Sequence, residues 1–104
     1  MILVNTDYIT GKTLQIITLV KGSVVQSKHI GRDIAASFKT IIGGELRGYT
    51  EMLDEARSTA TQRMIAEAKQ HNADAIVSVR YETASVMDGA VEVIAYGTAV
   101  KLNP

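Results

Sequence analysis

The chain has 104 residues, of which 46% are hydrophobic and 21% charged, and its eleven basic and eleven acidic residues cancel. This length suits one domain with a single core, and the composition excludes a disordered chain. The zero net charge argues against a dedicated nucleic-acid-binding protein and against attraction to anionic lipid, because both depend on clustered positive charge. We predict a single domain over residues 1–104.

The cysteine count and the N-terminal residues indicate the cellular compartment of the protein. The sequence has no cysteine, which removes disulfides, thiolate metal ligands and cysteine nucleophiles. Residues 1–7 contain a three-residue apolar run and no basic side chain, unlike a secretory signal peptide. No stretch approaches the roughly 20 apolar residues that a membrane-spanning helix needs. We expect a soluble, cytoplasmic protein without a membrane partner.

The first half of the chain has the composition of β-strands. Residues 14–20 are mostly β-branched or apolar, and a similar pattern resumes over residues 24–27. Lys21 and Gly22 separate the two stretches. The pattern predicts a hairpin with a glycine turn.

A short amphipathic helix is predicted next. Four apolar residues follow the i, i+4, i+7, i+8 spacing of one helix face: Ile34, Phe38, Ile41 and Ile42. Gly43 and Gly44 are predicted to end it, because glycine readily takes the left-handed conformation found after helices.

A longer helix is predicted over residues 49–71. One apolar stripe runs along it, formed by Tyr49, Leu53, Ala56, Ala60, Met64 and Ala68. We expect Thr50 to be the N-cap, with acidic residues at the start of the helix and Lys69 and His71 in its last turn, where each charge suits the helix dipole. Asn72 is predicted to end the helix in the left-handed conformation.

Two further strands are predicted at the C-terminal end. Residues 75–83 alternate between apolar odd positions and mostly polar even positions, as in a strand with one buried face. A turn is predicted over residues 85–89. Residues 91–102 are apolar on both faces over most of their length.

These elements predict an α+β fold in which two helices cover one face of a small antiparallel sheet. The strands over residues 14–20 and 91–102 are apolar on both faces, so the second sheet face also needs a cover. A second copy of the chain is the simplest cover and predicts a homo-oligomer. Alternatively, the sheet curls on itself into a partly closed barrel.

A glycine-rich segment over residues 43–49 leads into the long helix. Backbone N–H groups at a helix N-terminus can hold an anion. The ligand-binding candidates in and beside this segment are Glu45, Arg47, Tyr49 and Arg57. The alternative is an interhelix connection whose glycines only provide turns.

A metal site within one protomer is not predicted. Glu67 and His71 are four residues apart on the long helix, a spacing that can present two ligands, but no third ligand is near them in the sequence. His29 lies between Lys28 and Arg32, which would repel a cation. No catalytic residues and no cofactor are assigned.

Several motifs resemble one known family in order and spacing. They are Gly-Gly-Glu-Leu-Arg-Gly-Tyr at 43–49, Glu-Ala-Arg at 55–57, Ala-Asp-Ala-Ile-Val-Ser-Val at 73–79 and Ala-Tyr-Gly-Thr-Ala-Val at 95–100. The chain resembles the YbjQ family, with a looser match before residue 43. It departs from the family pattern at Asn72 and Ser78, where glycine is common.

The resemblance implies a compact α+β protomer in a homopentameric ring, from a family described as heavy-metal-binding. It supplies no catalytic residues. We therefore expect a non-enzymatic oligomeric binding module that holds a metal ion or small ligand at subunit interfaces. The alternative is an enzyme whose active site forms between subunits around residues 43–49.

Overall fold

The computed structural model describes residues 1–27, 41–42 and 45–104. These residues form β1 (Ile2–Leu3), β2 (Thr13–Ser27), β3 (Ile41–Ile42), β4 (Glu45–Leu46), α1 (Arg47–Gln70), β5 (Ala75–Met87) and β6 (Ala90–Asn103). Helix α1 packs on one face of a four-stranded sheet, so the predicted α+β class is confirmed. In this described part of the chain, no helix is long and apolar enough to cross a membrane.

The main sheet has the strand order β1-β5-β6-β2. Strand β6 pairs antiparallel with both β5 and β2. Strand β1 pairs parallel with β5, with Ile2 opposite Ala75. The sheet is therefore mixed, and the prediction of a purely antiparallel sheet is wrong for β1. A parallel pair needs a long connection, which includes β2 and α1 here.

Strand β2 runs without a turn, so the predicted hairpin at Lys21 and Gly22 is wrong. Gly22 lies opposite Ala95 within the strand. A Cβ atom added at Gly22 would lie 2.2 Å from the carbonyl oxygen of Ala60 and 2.3 Å from the amide nitrogen of Met64. Gly22 therefore marks a close approach between strand and helix backbones, which is one reason for glycine within a strand.

Helix α1 confirms the predicted long helix over residues 49–71, although it begins two residues earlier than expected. Because it starts at Arg47, Thr50 lies within the first turn and is not the N-cap, and that turn contains no acidic residue. The predicted stripe does face the sheet. Its four central and C-terminal members are fully buried: Ala56, Ala60, Met64 and Ala68. Three of them are alanines, whose small side chains suit the close approach at Gly22.

The end of α1 follows the prediction at Asn72, which has a φ of 56°. The amide of Asn72 donates to the carbonyl of Lys69 at 3.0 Å, and the amide of Ala73 donates to the carbonyl of Ala68 at 3.1 Å. These two bonds form a Schellman motif, which satisfies carbonyls left without partners at the helix end. Lys69 lies in the last turn, as predicted, but His71 lies just after the helix, so its predicted place in the last turn is wrong.

The predicted amphipathic helix lies mostly outside the described residues, as do Gly43 and Gly44, which were predicted to end it. Its last two positions, Ile41 and Ile42, form β3 and not helix. They pair antiparallel with Leu46 and Glu45 of β4, which accounts for their strand conformation.

Strand β5 changes face at Ser78, so the prediction of a single apolar face for residues 75–83 is wrong. The register with β6 shifts between Val77 and Arg80, and Ser78 has a φ of 54°. Ala75 and Val77 pack on the side away from α1, whereas Val79 joins the core beneath α1. An extra residue at a β-bulge reverses the side to which later residues point.

The turn between β5 and β6 is shorter than predicted. It consists of Asp88 and Gly89, and Gly89 has a φ of 76°. Met87 still pairs with Ala90. The hairpin therefore continues as strand through most of the predicted turn.

The main core lies between α1 and the sheet. Its largest fully buried side chains there are Met64, Ile76, Val20 and Val93. Burying one such side chain contributes about 1.5–3 kcal/mol. This core fixes one face of the sheet to the helix.

Candidate functional site

The sheet face opposite α1 has exposed apolar side chains along β2. Ile16 lies opposite Val100, Leu19 opposite Thr98 and Val25 opposite Glu92, and directly paired residues share a face. Ile16, Leu19 and Val25 are 73%, 63% and 55% exposed. We call these three side chains the open face. The prediction that β2 is apolar on both faces is confirmed, because Val20 on the same strand is fully buried beneath α1.

One end of the same sheet side is covered by the N-terminal segment. A second buried cluster forms there from Ala75, Val77 and Val100. Apolar residues from the segment and the neighbouring strand ends pack on it: Val4, Ile9, Leu14 and Leu102. Among the described residues, this cover does not extend to the open face, whose three side chains remain exposed.

A polar row crosses the sheet beside the open face. Tyr96 of β6 lies between Lys21 of β2 and Arg80 of β5. The Tyr96 hydroxyl donates to Oε1 of Glu82 at 3.1 Å, and this bond to a carboxylate raises the pKa of Tyr96. This side of the sheet therefore carries basic side chains, Lys21 and Arg80, and the acidic Glu82 next to its apolar surface.

A cleft of about 290 Å³ lies beside the bulge at Ser78. Its lining is uncharged: Leu3, Val4, Asn5, Val79 and Tyr81. The Tyr81 hydroxyl lies 2.7 Å from Oγ1 of Thr61 on α1. Sequence reasoning missed this cleft because its two sides are more than 70 residues apart. The serine at a position where the resembled family often has glycine was the available signal for an unusual backbone there.

The bulge is held by backbone bonds from the N-terminal segment. The amide of Ser78 donates to the carbonyl of Thr6 at 2.8 Å. The amide of Val79 donates to the carbonyl of Val4 at 3.0 Å. Across the sheet, a Cβ atom at Gly97 would lie 2.7 Å from Cγ2 of Ile76. The motifs at residues 73–79 and 95–100 therefore lie in close contact, with Gly97 packed against the residues around Ser78.

The predicted ligand-binding residues do not come from one compact loop. Glu45 lies in β4, while Arg47 and Tyr49 lie in the first turn of α1. Arg57 is eight residues after Tyr49 on the same helix, which places their backbones about 12 Å apart along its axis. One protomer therefore spreads these residues from β4 to Arg57, ten residues after the start of α1.

Arg57 is half-buried and already has an acidic partner. Its guanidinium forms a hydrogen bond and an ion pair with Asp54, one turn earlier on α1. A ligand anion at Arg57 would compete with this carboxylate. Tyr49, in the first turn of α1, is half-buried.

The residues that the structure describes do not fit a heavy-metal centre within one protomer. Among them, no three histidine, aspartate or glutamate side chains group closely enough to hold a metal ion. The chain has no thiol, the preferred ligand of soft metals. His71 is exposed just after α1, and His29 lies outside the described residues.

The family comparison covers almost the entire chain. The sequence profile of the YbjQ family, described as "Putative heavy-metal-binding", matches residues 1–103. The chain belongs to this family. The resemblance inferred from the motifs is thereby confirmed.

Relatives with similar sequences extend over the same length. A "UPF0145 protein" of Clostridium novyi is 57% identical over 102 residues, covering 98% of this chain and 99% of the relative. One from Alkaliphilus metalliredigens is 58% identical, covering 97% and 98%. One from Thermotoga maritima is 53% identical, covering 99% and 98%. These relatives align with the chain over nearly their entire length.

A solved structure has the same fold. It is a protein of unknown function from the DUF74 family of Pediococcus pentosaceus, with a TM-score of 0.65 and 18% identity. The alignment covers 99% of this chain and 98% of that one. The similarity establishes the shared fold.

Proposed function

We propose that the protein is a non-enzymatic homo-oligomeric binding module that holds a small ligand or a metal ion at its subunit interfaces. The open face carries this proposal. Three exposed apolar side chains on one strand are the kind of surface that is commonly an interaction site. The homopentameric ring implied by the family resemblance gives the expected stoichiometry.

Covering the open face supplies a driving force for assembly. Fully burying a large aliphatic side chain contributes about 1.5–3 kcal/mol. Ile16, Leu19 and Val25 together therefore offer several kilocalories per protomer before the costs of association. The zero net charge of the chain also means that copies do not repel one another strongly.

The binding part of the proposal concerns sites shared between copies. The described residues of one protomer do not supply three grouped metal ligands, so a metal site built from them needs side chains from neighbours. The start of α1 is the proposed ligand position, with Glu45, Arg47, Tyr49 and Arg57 as candidates. Its first turn has no acidic residue to offset the positive end of the helix dipole, which favours an anionic group.

Native mass spectrometry of the untagged protein tests both parts. The expected main species has five times the 11.2 kDa protomer mass. A chelator-treated sample titrated with Zn²⁺ should then show stoichiometric bound metal if the module holds metal. A reproducible additional mass in the untreated sample would instead identify a retained small ligand.

A charge variant tests the open face directly. Leu19→Glu should shift the protein to protomers, because a carboxylate cannot be buried cheaply in an apolar interface. Gln15→Glu is the control, since it adds the same charge at another exposed position of β2. A monomeric wild type, or an unchanged assembly in the Leu19→Glu variant, would contradict assembly through this face.

A further inference from the structure

The cleft beside the bulge at Ser78 is held in shape by backbone hydrogen bonds. The amide of Val4 donates to the carbonyl of Ile76 at 3.0 Å, and the amide of Val79 donates to the carbonyl of Val4, also at 3.0 Å. These bonds hold the N-terminal segment against β5, and both of these parts of the chain line the cleft. A site that is already formed loses little conformational freedom when a ligand binds, which favours binding.

Among the described residues, those that line the cleft carry no charge. Val79 is buried, and Leu3 and Val4 are half-buried. An ion in the cleft would lose hydration without an opposite charge in this lining to offset the cost. The volume of about 290 Å³ is near the lower end of the usual range for ligand pockets, about 300–1,000 Å³. The cleft therefore favours a small neutral molecule over an ion or a large cofactor.

The Tyr81 hydroxyl determines which polar group such a molecule needs. The Thr61 hydroxyl donates to the carbonyl of Arg57 at 2.7 Å, and a hydroxyl has one proton to donate. In the 2.7 Å contact between the two hydroxyls, Tyr81 is therefore the donor and Thr61 the acceptor. The Tyr81 oxygen keeps its capacity to accept a hydrogen bond, so a ligand that bonds to it must donate.

We propose that the cleft binds a small neutral molecule with an apolar body and an N–H or O–H group that donates to the Tyr81 oxygen. The apolar body packs on Val79, Leu3 and Val4. Asn5 is exposed in the lining, and its carboxamide can donate to or accept from a second polar group of the ligand. The site does not use the candidate side chains at the start of α1 and needs no second copy, so the inference goes beyond the proposed function.

NMR titration of the isotope-labelled protein with small probes tests the site. The donor probes are indole, phenol and benzamide, and each has a counterpart in which methyl groups replace the donor hydrogens: N-methylindole, anisole and N,N-dimethylbenzamide. At least one donor probe should shift the backbone amide signals of Leu3, Asn5 and Tyr81 with a Kd of about 1 mM or lower. Its counterpart should bind about tenfold more weakly, the effect of losing one hydrogen bond.

A phenylalanine variant removes the proposed acceptor and keeps the aromatic ring. Tyr81→Phe should weaken binding of the donor probe by about tenfold and leave binding of its methylated counterpart unchanged. Because Thr61 keeps its bond to Arg57, the variant leaves no hydroxyl donor unpaired and should fold like wild type. Tyr8→Phe is the matched control, since it removes the same atom from a tyrosine that is 60% exposed and outside the cleft lining.

Several outcomes would overturn the inference. One is that no donor probe binds the wild-type protein, and another is that each donor probe binds no more tightly than its counterpart. Signal changes at Ile16, Leu19 and Val25 in place of the cleft would mean that the probes bind the open face. Unchanged binding of the donor probe to Tyr81→Phe would also overturn it. A monomeric wild type that binds the probe in the cleft would overturn the proposed homo-oligomer and support this site.

Discussion

Ser78 adopts a backbone conformation that residues with a Cβ atom seldom occupy. Its φ of 54° lies in the left-handed region, which costs a non-glycine residue about 1–2 kcal/mol. The bonds from Ser78 to Thr6 and from Val79 to Val4 impose this conformation. The strain is thus local, and it allows the N-terminal segment to dock beside β5 and line the cleft.

Ser78→Gly should therefore stabilise the protein. Glycine removes the left-handed penalty but loses more entropy on folding, so we expect a net gain of roughly 0.5–1 kcal/mol in the free energy of unfolding. Urea denaturation followed by circular dichroism measures it. Ser78→Ala keeps the Cβ atom and should give no gain. A destabilised glycine variant would show that the serine side chain itself holds the bulge.

At the scale of elements, the packing of α1 on β2 depends on Gly22. A methyl group there would lie within 2.8 Å of three backbone atoms of α1, in Ala60, Arg63 and Met64. Helix backbone cannot move aside as a flexible side chain can. The small buried residues of α1 and the missing side chain of Gly22 together set the distance between the two layers.

Gly22→Ala should destabilise the protein by about 1–3 kcal/mol, the usual cost of overpacking a core, and by more if α1 must shift. The midpoint of urea unfolding should fall accordingly. Ser23→Ala, at the next and exposed position, should change stability by less than about 0.5 kcal/mol. Equal stability of the two variants would contradict the close helix–strand contact.

The same two elements show what sequence could and could not predict. Helix α1 was predictable because its apolar spacing repeats over about five turns, a signal that chance rarely produces. Gly22 was misassigned because a glycine between apolar stretches marks either a turn or a close approach, and the helix that decides between them is 40 residues away. The face change at Ser78 could not be predicted for the same reason, because it depends on hydrogen bonds to Thr6 and Val4, which are distant in the sequence.

The candidate sites divide in the same way. The open face was predictable, because a strand that is apolar on both sides must expose one of them when a single helix layer covers the other. The cleft was not, since Leu3 and Val79 become neighbours only through the parallel pairing of β1 with β5.

At the scale of the whole molecule, one helix layer and one sheet leave an apolar sheet surface that the described protomer does not cover. The open face lies on β2, which is an edge strand of that sheet. A neighbouring copy that covered it would bury three apolar side chains together, Ile16, Leu19 and Val25.

The proposed assembly through the open face would make thermal stability depend on protein concentration, because binding to neighbours stabilises only folded protomers. For a domain of this size, each tenfold rise in protein concentration should raise Tm by roughly 4–8 °C, since about 1 kcal/mol of stability corresponds to such a shift. Differential scanning fluorimetry at several concentrations measures it. Leu19→Glu should have a lower Tm that does not vary with concentration, whereas Gln15→Glu should behave like wild type. A wild-type Tm independent of concentration, at dilutions where native mass spectrometry detects both protomers and oligomers, would mean that assembly and folding are uncoupled and that the open face is not a buried interface.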